Sequence, residues 1–184
     1  MGDAMAGRSL QLPRFARQLA ELHVATHNTP GVPDIPPLHE RLMHKIRTVK
    51  DLPRTVQEAS LHALAEMPQG DRLCHGDFHP LNVLLHQGRA AVIDWVDATR
   101  GNPLADVART VVLMQGVESQ AADTKARIEQ LALRWFTYIY LCRYFHFAPA
   151  ARPSIGVGGL SSPPGGDERG NSGAEWVVAS ACQA

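Results

Sequence analysis

Between residues 73 and 97 the chain sets carboxylates, an amide and histidines at a spacing that can handle phosphate: LCHGDFHPLNVLLHQGRAAVIDWVD. Asp77 follows Gly76, which permits a tight loop, and Asn82 comes as the chain re-enters an apolar run. Asp94 ends the return run AAVID, and a turn at Gln87-Gly88 brings residues 89–93 back beside 82–86. Asn82 and Asp94 then face one small volume near Asp77. Carboxylate and amide oxygens suit a hard cation such as Mg2+, which keeps waters and substrate phosphates as its other ligands. A carboxylate left free can orient and accept the proton of an attacking hydroxyl. Phosphoryl transfer needs such a set, because its catalysis is mostly positioning and charge neutralisation. The same letters allow a rival, His75-x-Asp77-x-His79 as a transition-metal cluster. That rival leaves Asn82 and Asp94 without a role and finds no further histidine at a convincing spacing. His79 and His86 read as loop or surface histidines.

The elements that must carry these residues are mainly helical. RFARQLAELHVATH (14–27) puts Phe15, Leu19 and Leu22 on one helical face, with Pro13 where a first-turn proline is tolerated. The proline-rich TPGVPDIPP cannot continue it. Leu38, Leu42, Ile46 and Val49 form a second helical stripe, and a third helix runs from Asp51 and Pro53 to about Met67, stopped by Pro68 and Gly70. RLCH, NVLLH and RAAVID are short, branched and bounded by turn residues, as strands are. After a break at Arg100-Gly101-Asn102-Pro103, helical patterning returns at 104–116 and at 123–147. Met43, Met67 and Met114 read as core filler, and Trp95 as packing a core edge. The fold class is therefore α+β, mainly helical, with a short β-hairpin next to the polar loop. RPSIGVGGLSSPPGGDERGNSG, from Arg152, carries seven glycines and three prolines among 22 residues, which predicts disorder. The chain divides into residues 1–150 and a tail, 151–184.

HGDFHPLNVLL followed by AVIDW resembles the motif pair of the aminoglycoside phosphotransferase and choline kinase family, which is similar to protein kinases in fold. GNPLADVA resembles that family's GDPxxDLA segment, and AGRSLQLPRFARQLAELHVATH the stretch containing its LAxLH helix. The resemblance covers roughly residues 5–150. It implies the C-terminal lobe of a protein-kinase-like fold and ATP as phosphate donor to a small-molecule hydroxyl substrate. It further implies Asp77 as catalytic base, Asn82 and Asp94 as Mg2+ ligands, and His75 and Asp106 as supports of the loop. The family often has an acidic residue directly after IDW, where this chain has Val96 and then Asp97.

The lobe that would cover the nucleotide is not recognisable. No GxGxxG and no VAIK-like strand precedes the loop, and GVGG at 156–159 follows it in the wrong context, so the nucleotide-binding residues of an N-lobe are unassigned. The expectation is a truncated C-lobe, impaired by itself; the alternative is a non-catalytic binding module or remnant.

Composition sets the remaining bounds. Formal net charge is zero, with 18 basic and 18 acidic residues, so no whole-molecule field points to nucleic acid or to an anionic membrane. No apolar run approaches a membrane span, and MGDAMAGRSLQLPRF lacks the apolar core of a secretory signal. Cys74, Cys142 and Cys182 are far apart and odd in number, as expected of a reduced, cytoplasmic protein.

Overall fold

Burial pairs the first and last described helices. In the computed structural model, residues 11–31, 33–115 and 124–149 are described. Helix α1 (Leu12–His27) buries Phe15, Ala16, Leu19, Ala20, His23, Val24 and His27, a stripe at three- and four-residue steps. It packs on α5 (Thr124–Phe147), whose Phe136, Tyr140, Leu141, Tyr144 and Phe145 are at most 1% exposed. At about 1.5–3 kcal/mol for each large apolar side chain removed from water, this pair of faces holds most of the core. Helix α4 (Pro103–Gln115) adds Val107, Val111 and Met114 from a third side.

Four short strands make two antiparallel pairs. In the first, β1 (Arg72–Cys74) pairs with β4 (Thr99–Gly101), Leu73 opposite Arg100. In the second, β2 (Val83–His86) pairs with β3 (Arg89–Val92), Val83 opposite Val92. Gln87 and Gly88 join β2 to β3 with positive φ at both, 46° and 76°, as a tight two-residue hairpin requires. The sequence-based break at Arg100–Pro103 is corrected in part: Thr99–Gly101 is a strand, because β1 offers it a partner that lies far away in sequence. The connector after α1 joins the same edge, with Gly31 N donating to Asp71 O at 2.7 Å and Arg100 N to Pro36 O at 3.0 Å.

Helices α2 (Leu38–Thr48) and α3 (Arg54–Glu66) form a hairpin outside this core. The stripe Leu38, Leu42 and Ile46 is present, but α2 buries no residue and Val49 is 51% exposed, since its apolar face meets chiefly α3. Met114 is core filler, Met43 is half-buried, and Met67 is exposed. The tail expected at 151–184 lies outside the described residues. No described helix is long and apolar enough to cross a membrane.

Candidate active site

The polar loop leaves β1 at Cys74 and is locked from below. His75 is fully buried and both its ring nitrogens are engaged by backbone. Nε2–H donates to Ile93 O at 2.9 Å, so Nδ1 accepts the Asp77 amide at 3.2 Å. A histidine spent in this way has no lone pair for a metal, which removes the His75-x-Asp77-x-His79 rival. Gly76 has φ +79°, and a Cβ there would collide with the Asp97 carbonyl. Phe78, 0% exposed, anchors the loop by stacking on His23 at 3.9 Å.

Beneath the loop lies Asp106, from the first turn of α4 and 3% exposed. Its Oδ2 accepts the His75 amide at 2.6 Å, and its Oδ1 the Gly76 amide at 2.9 Å. Oδ2 also accepts His23 Nε2–H and His27 Nε2–H, each at 3.1 Å. The opposite ring nitrogens are therefore acceptors, and the hydroxyls of Tyr140 and Tyr144 donate to them at 2.6 and 2.7 Å. One carboxylate thus ties two loop amides to α1 and, through two histidines, to α5. His23, His27 and Asp106 are also the one set among the described residues whose ligand atoms converge closely enough for a metal ion. Every polar atom of those three side chains already has a partner, so the cluster is complete as a hydrogen-bonded hub.

Electrostatics follow from this burial. Burial raises the Asp106 carboxyl, but the hydrogen bonds and charges of His23 and His27 outweigh it and hold the group far below the usual carboxylate range. Burial pulls His23 down from 6.5 to about 4, against the opposing bond to Asp106. Tyr140 and Tyr144 are pushed up, chiefly by burial. Burial likewise pushes the Cys74 thiol up to about 12, so it is no nucleophile at neutral pH.

Above the hub the sequence-predicted residues divide. Asn82, 8% exposed, donates through Nδ2 to the Asp77 carbonyl at 2.9 Å and to Asp77 Oδ2 at 3.1 Å, so these two are in direct contact. Asn82 Oδ1 has no hydrogen bond among the described residues. Asp94 lies past the end of β3 rather than on it, in a left-handed conformation with φ 65° and ψ 60°. That backbone costs a non-glycine residue roughly 1–2 kcal/mol, and such strain gathers at functional sites. Ile93 N donates to Asn82 O at 3.0 Å while Ile93 O takes His75, so Asp94 begins one residue from both. Its side chain is exposed and makes no hydrogen bond or ion pair among the described residues. His79 caps the turn at Pro80–Asn82 by accepting the Leu81 amide at 3.3 Å. His86 is exposed, and Trp95 is 38% exposed with its ring 4.6 Å from His75.

Sequence reasoning missed a cationic flank. Arg109, on α4, donates through Nε to the Gly76 carbonyl, and its Nη2 lies 3.8 Å from Asp77 Oδ1 and 3.3 Å from Asp97 Oδ2. Arg41 and Lys45 of α2 reach the same Asp97 carboxylate. The missed hub partners had a sequence signal: His23 and His27, like Tyr140 and Tyr144, recur at one helical turn. A cleft of about 480 Å3 opens between the connector and the Trp95–Ala98 segment, its lining including Asp34, Ile35, Arg41, Leu73, Trp95 and Val96.

Comparison with known proteins gives one match: the family model described as phosphotransferase enzyme family covers residues 3–138. No curated protein and no solved structure matches the chain.

Proposed function

Because the chain belongs to the phosphotransferase enzyme family, we propose that it is the C-terminal, protein-kinase-like lobe of an ATP-dependent, small-molecule O-kinase of the aminoglycoside phosphotransferase type. The observation that carries this is the state of three side chains. Asn82 spends its amide nitrogen on Asp77, while its Oδ1 and the Asp94 carboxylate have no partner among the described residues and stand at adjoining strand ends. Two hard oxygens on neighbouring, backbone-fixed positions fit Mg2+. Mg2+ held there would neutralise charge on the nucleotide phosphates.

In this reading Asp77 orients the acceptor hydroxyl and takes its proton through the carboxylate that Asn82 Nδ2 holds in place. Asn82 and Asp94 contribute the oxygens for the metal. His75 and Asp106 fix the loop backbone, so that Asp77 arrives already aimed and little reorganisation is needed at reaction. The 480 Å3 cleft is of the size that small-molecule sites occupy, and we assign it to the acceptor. Its Trp95 and Val96 wall favours an acceptor with an apolar face.

The other reading is a non-catalytic binding module of the same family. A thermal-shift titration separates the two. The first reading expects ATP to stabilise the chain in an Mg2+-dependent way, and Asp94→Ala to remove that dependence. If the wild-type melting temperature ignores Mg2+ and ATP together, this chain does not handle nucleotide and the module reading stands.

A further inference from the structure

The turn Trp95–Asp97 leaves Val96 81% exposed and rotates Asp97 inward, onto three cations from two helices. Arg41 of α2 bonds its Oδ1 and also donates to the Val96 carbonyl at 3.2 Å. Lys45, one turn later, reaches Oδ2 at 3.3 Å, and Arg109 of α4 reaches Oδ2 at 3.3 Å. Arg109 in turn grips the Gly76 carbonyl and lies 3.8 Å from Asp77 Oδ1. A single carboxylate thus stands between the loop carrying Asp77 and a helical hairpin that buries little, since α2 buries nothing and α3 buries Leu64 alone, and whose other seat is Leu38 against Gly101 of β4.

We propose that Asp97 is a positioning residue that couples the α2–α3 hairpin to the loop, clipping the hairpin through Arg41 and Lys45 while aiming Arg109 at Gly76 and Asp77. The cleft assigned to the acceptor lies along this joint, lined by Arg41 on one side and by Trp95 and Val96 on the other. Occupancy of that cleft therefore meets Arg41, one of the cations on Asp97. Burial disfavours the Asp97 charge, but the bonds and charges of Lys45 and Arg41 outweigh it, so the clip is held closed at neutral pH. Exposed single ion pairs contribute little, whereas three cations sharing one half-buried carboxylate form a network. The consequence for catalysis rests on the role proposed for Asp77; the mechanical coupling does not.

Hydrogen exchange on the full chain, read by mass spectrometry peptide by peptide, tests the coupling without any turnover. Asp97→Asn should speed exchange about five- to tenfold in both 38–66 and 75–82, and leave the buried α1 and α5 amides at wild-type rates. Arg41→Met with Lys45→Met should loosen 38–66 alone, and Arg109→Met should loosen 75–82 alone. Asp97→Glu should restore most of the protection in both, because it keeps the charge. Should Asp97→Asn prove too unstable to study, the Arg41/Lys45 and Arg109 variants decide the matter by the separation of their effects. Wild-type exchange in both segments, or loosening that spreads equally into α1 and α5, would overturn the coupling. A chain that fails to bind Mg2+ and ATP yet shows this pattern would remove the phosphotransferase reading and leave the coupling intact.

Discussion

Acidification from pH 7.5 to 4.5 should weaken the fold by an amount set largely by one side chain. His23 is fully buried, with Nε2–H on Asp106 and Nδ1 accepting the Tyr140 hydroxyl. Burial in a dry core disfavours the charged ring and takes the folded value from 6.5 to about 4, and protonating Nδ1 would also put an N–H against that hydroxyl's proton. The sign follows from proton uptake. Between those two values the unfolded chain binds a proton at His23 and the folded chain does not, so stability is full above pH 6.5 and declines as pH falls towards 4. Integrated from pH 7.5 to 4.5, His23 alone removes roughly 2.5 kcal/mol. Asp106 is held far below the carboxylate range, so its contribution persists through this interval and is lost only in stronger acid. With a urea slope of roughly 2 kcal/mol per molar, the midpoint should fall by about 1 M. Urea melts followed by circular dichroism at pH 7.5, 6.0, 5.0 and 4.5 measure it, with His23→Gln as control. That variant starts weaker but should lose far less on acidification. A wild-type midpoint constant to within about 0.3 M, or an identical slope in His23→Gln, would refute the reasoning.

Other outcomes follow from the same contacts. Asp77→Asn, assayed in a chain extended by a Gly-rich, lysine-bearing lobe, should lower kcat by roughly 10²–10⁴-fold while Mg2+-ATP affinity stays within about twofold; retained turnover excludes Asp77 as base. Asp106→Ala leaves two loop amides and two histidine N–H groups facing a void, and should cost about 3–5 kcal/mol in urea unfolding. A loss under about 1 kcal/mol would mean that the hub carries no load. Gly76→Ala meets both a positive φ and the Asp97 carbonyl, and should cost about 2 kcal/mol or more, visible as a lower melting temperature.

The local chemistry of this chain could be read without coordinates because it is written in short-range signals. Gly76, the Gln87-Gly88 turn and the helical stripe of α1 follow from backbone sterics and periodicity, which act within a few residues. The approach of Asn82 to Asp77 was legible for the same reason, both lying on one tight loop, whereas the bond between them was not. Strand β4 was not, since a three-residue segment gains its identity from β1, some 27 residues earlier. Nor was the outcome of the α2 stripe, whose periodicity fixes a helix but cannot say whether the core or another surface helix covers it.

The sequence by itself determined how the loop bearing Asp77 and Asn82 turns, and singled those residues out by type and spacing. Only the tertiary structure decided what holds that loop. Asp106 gains its four donors from segments up to 83 residues away, and Arg109 finds Asp97 and Gly76 only after α4 has packed against β1. A charge's effect depends on what lies within a few ångströms and on the water excluded around it, and neither is encoded by neighbours along the chain.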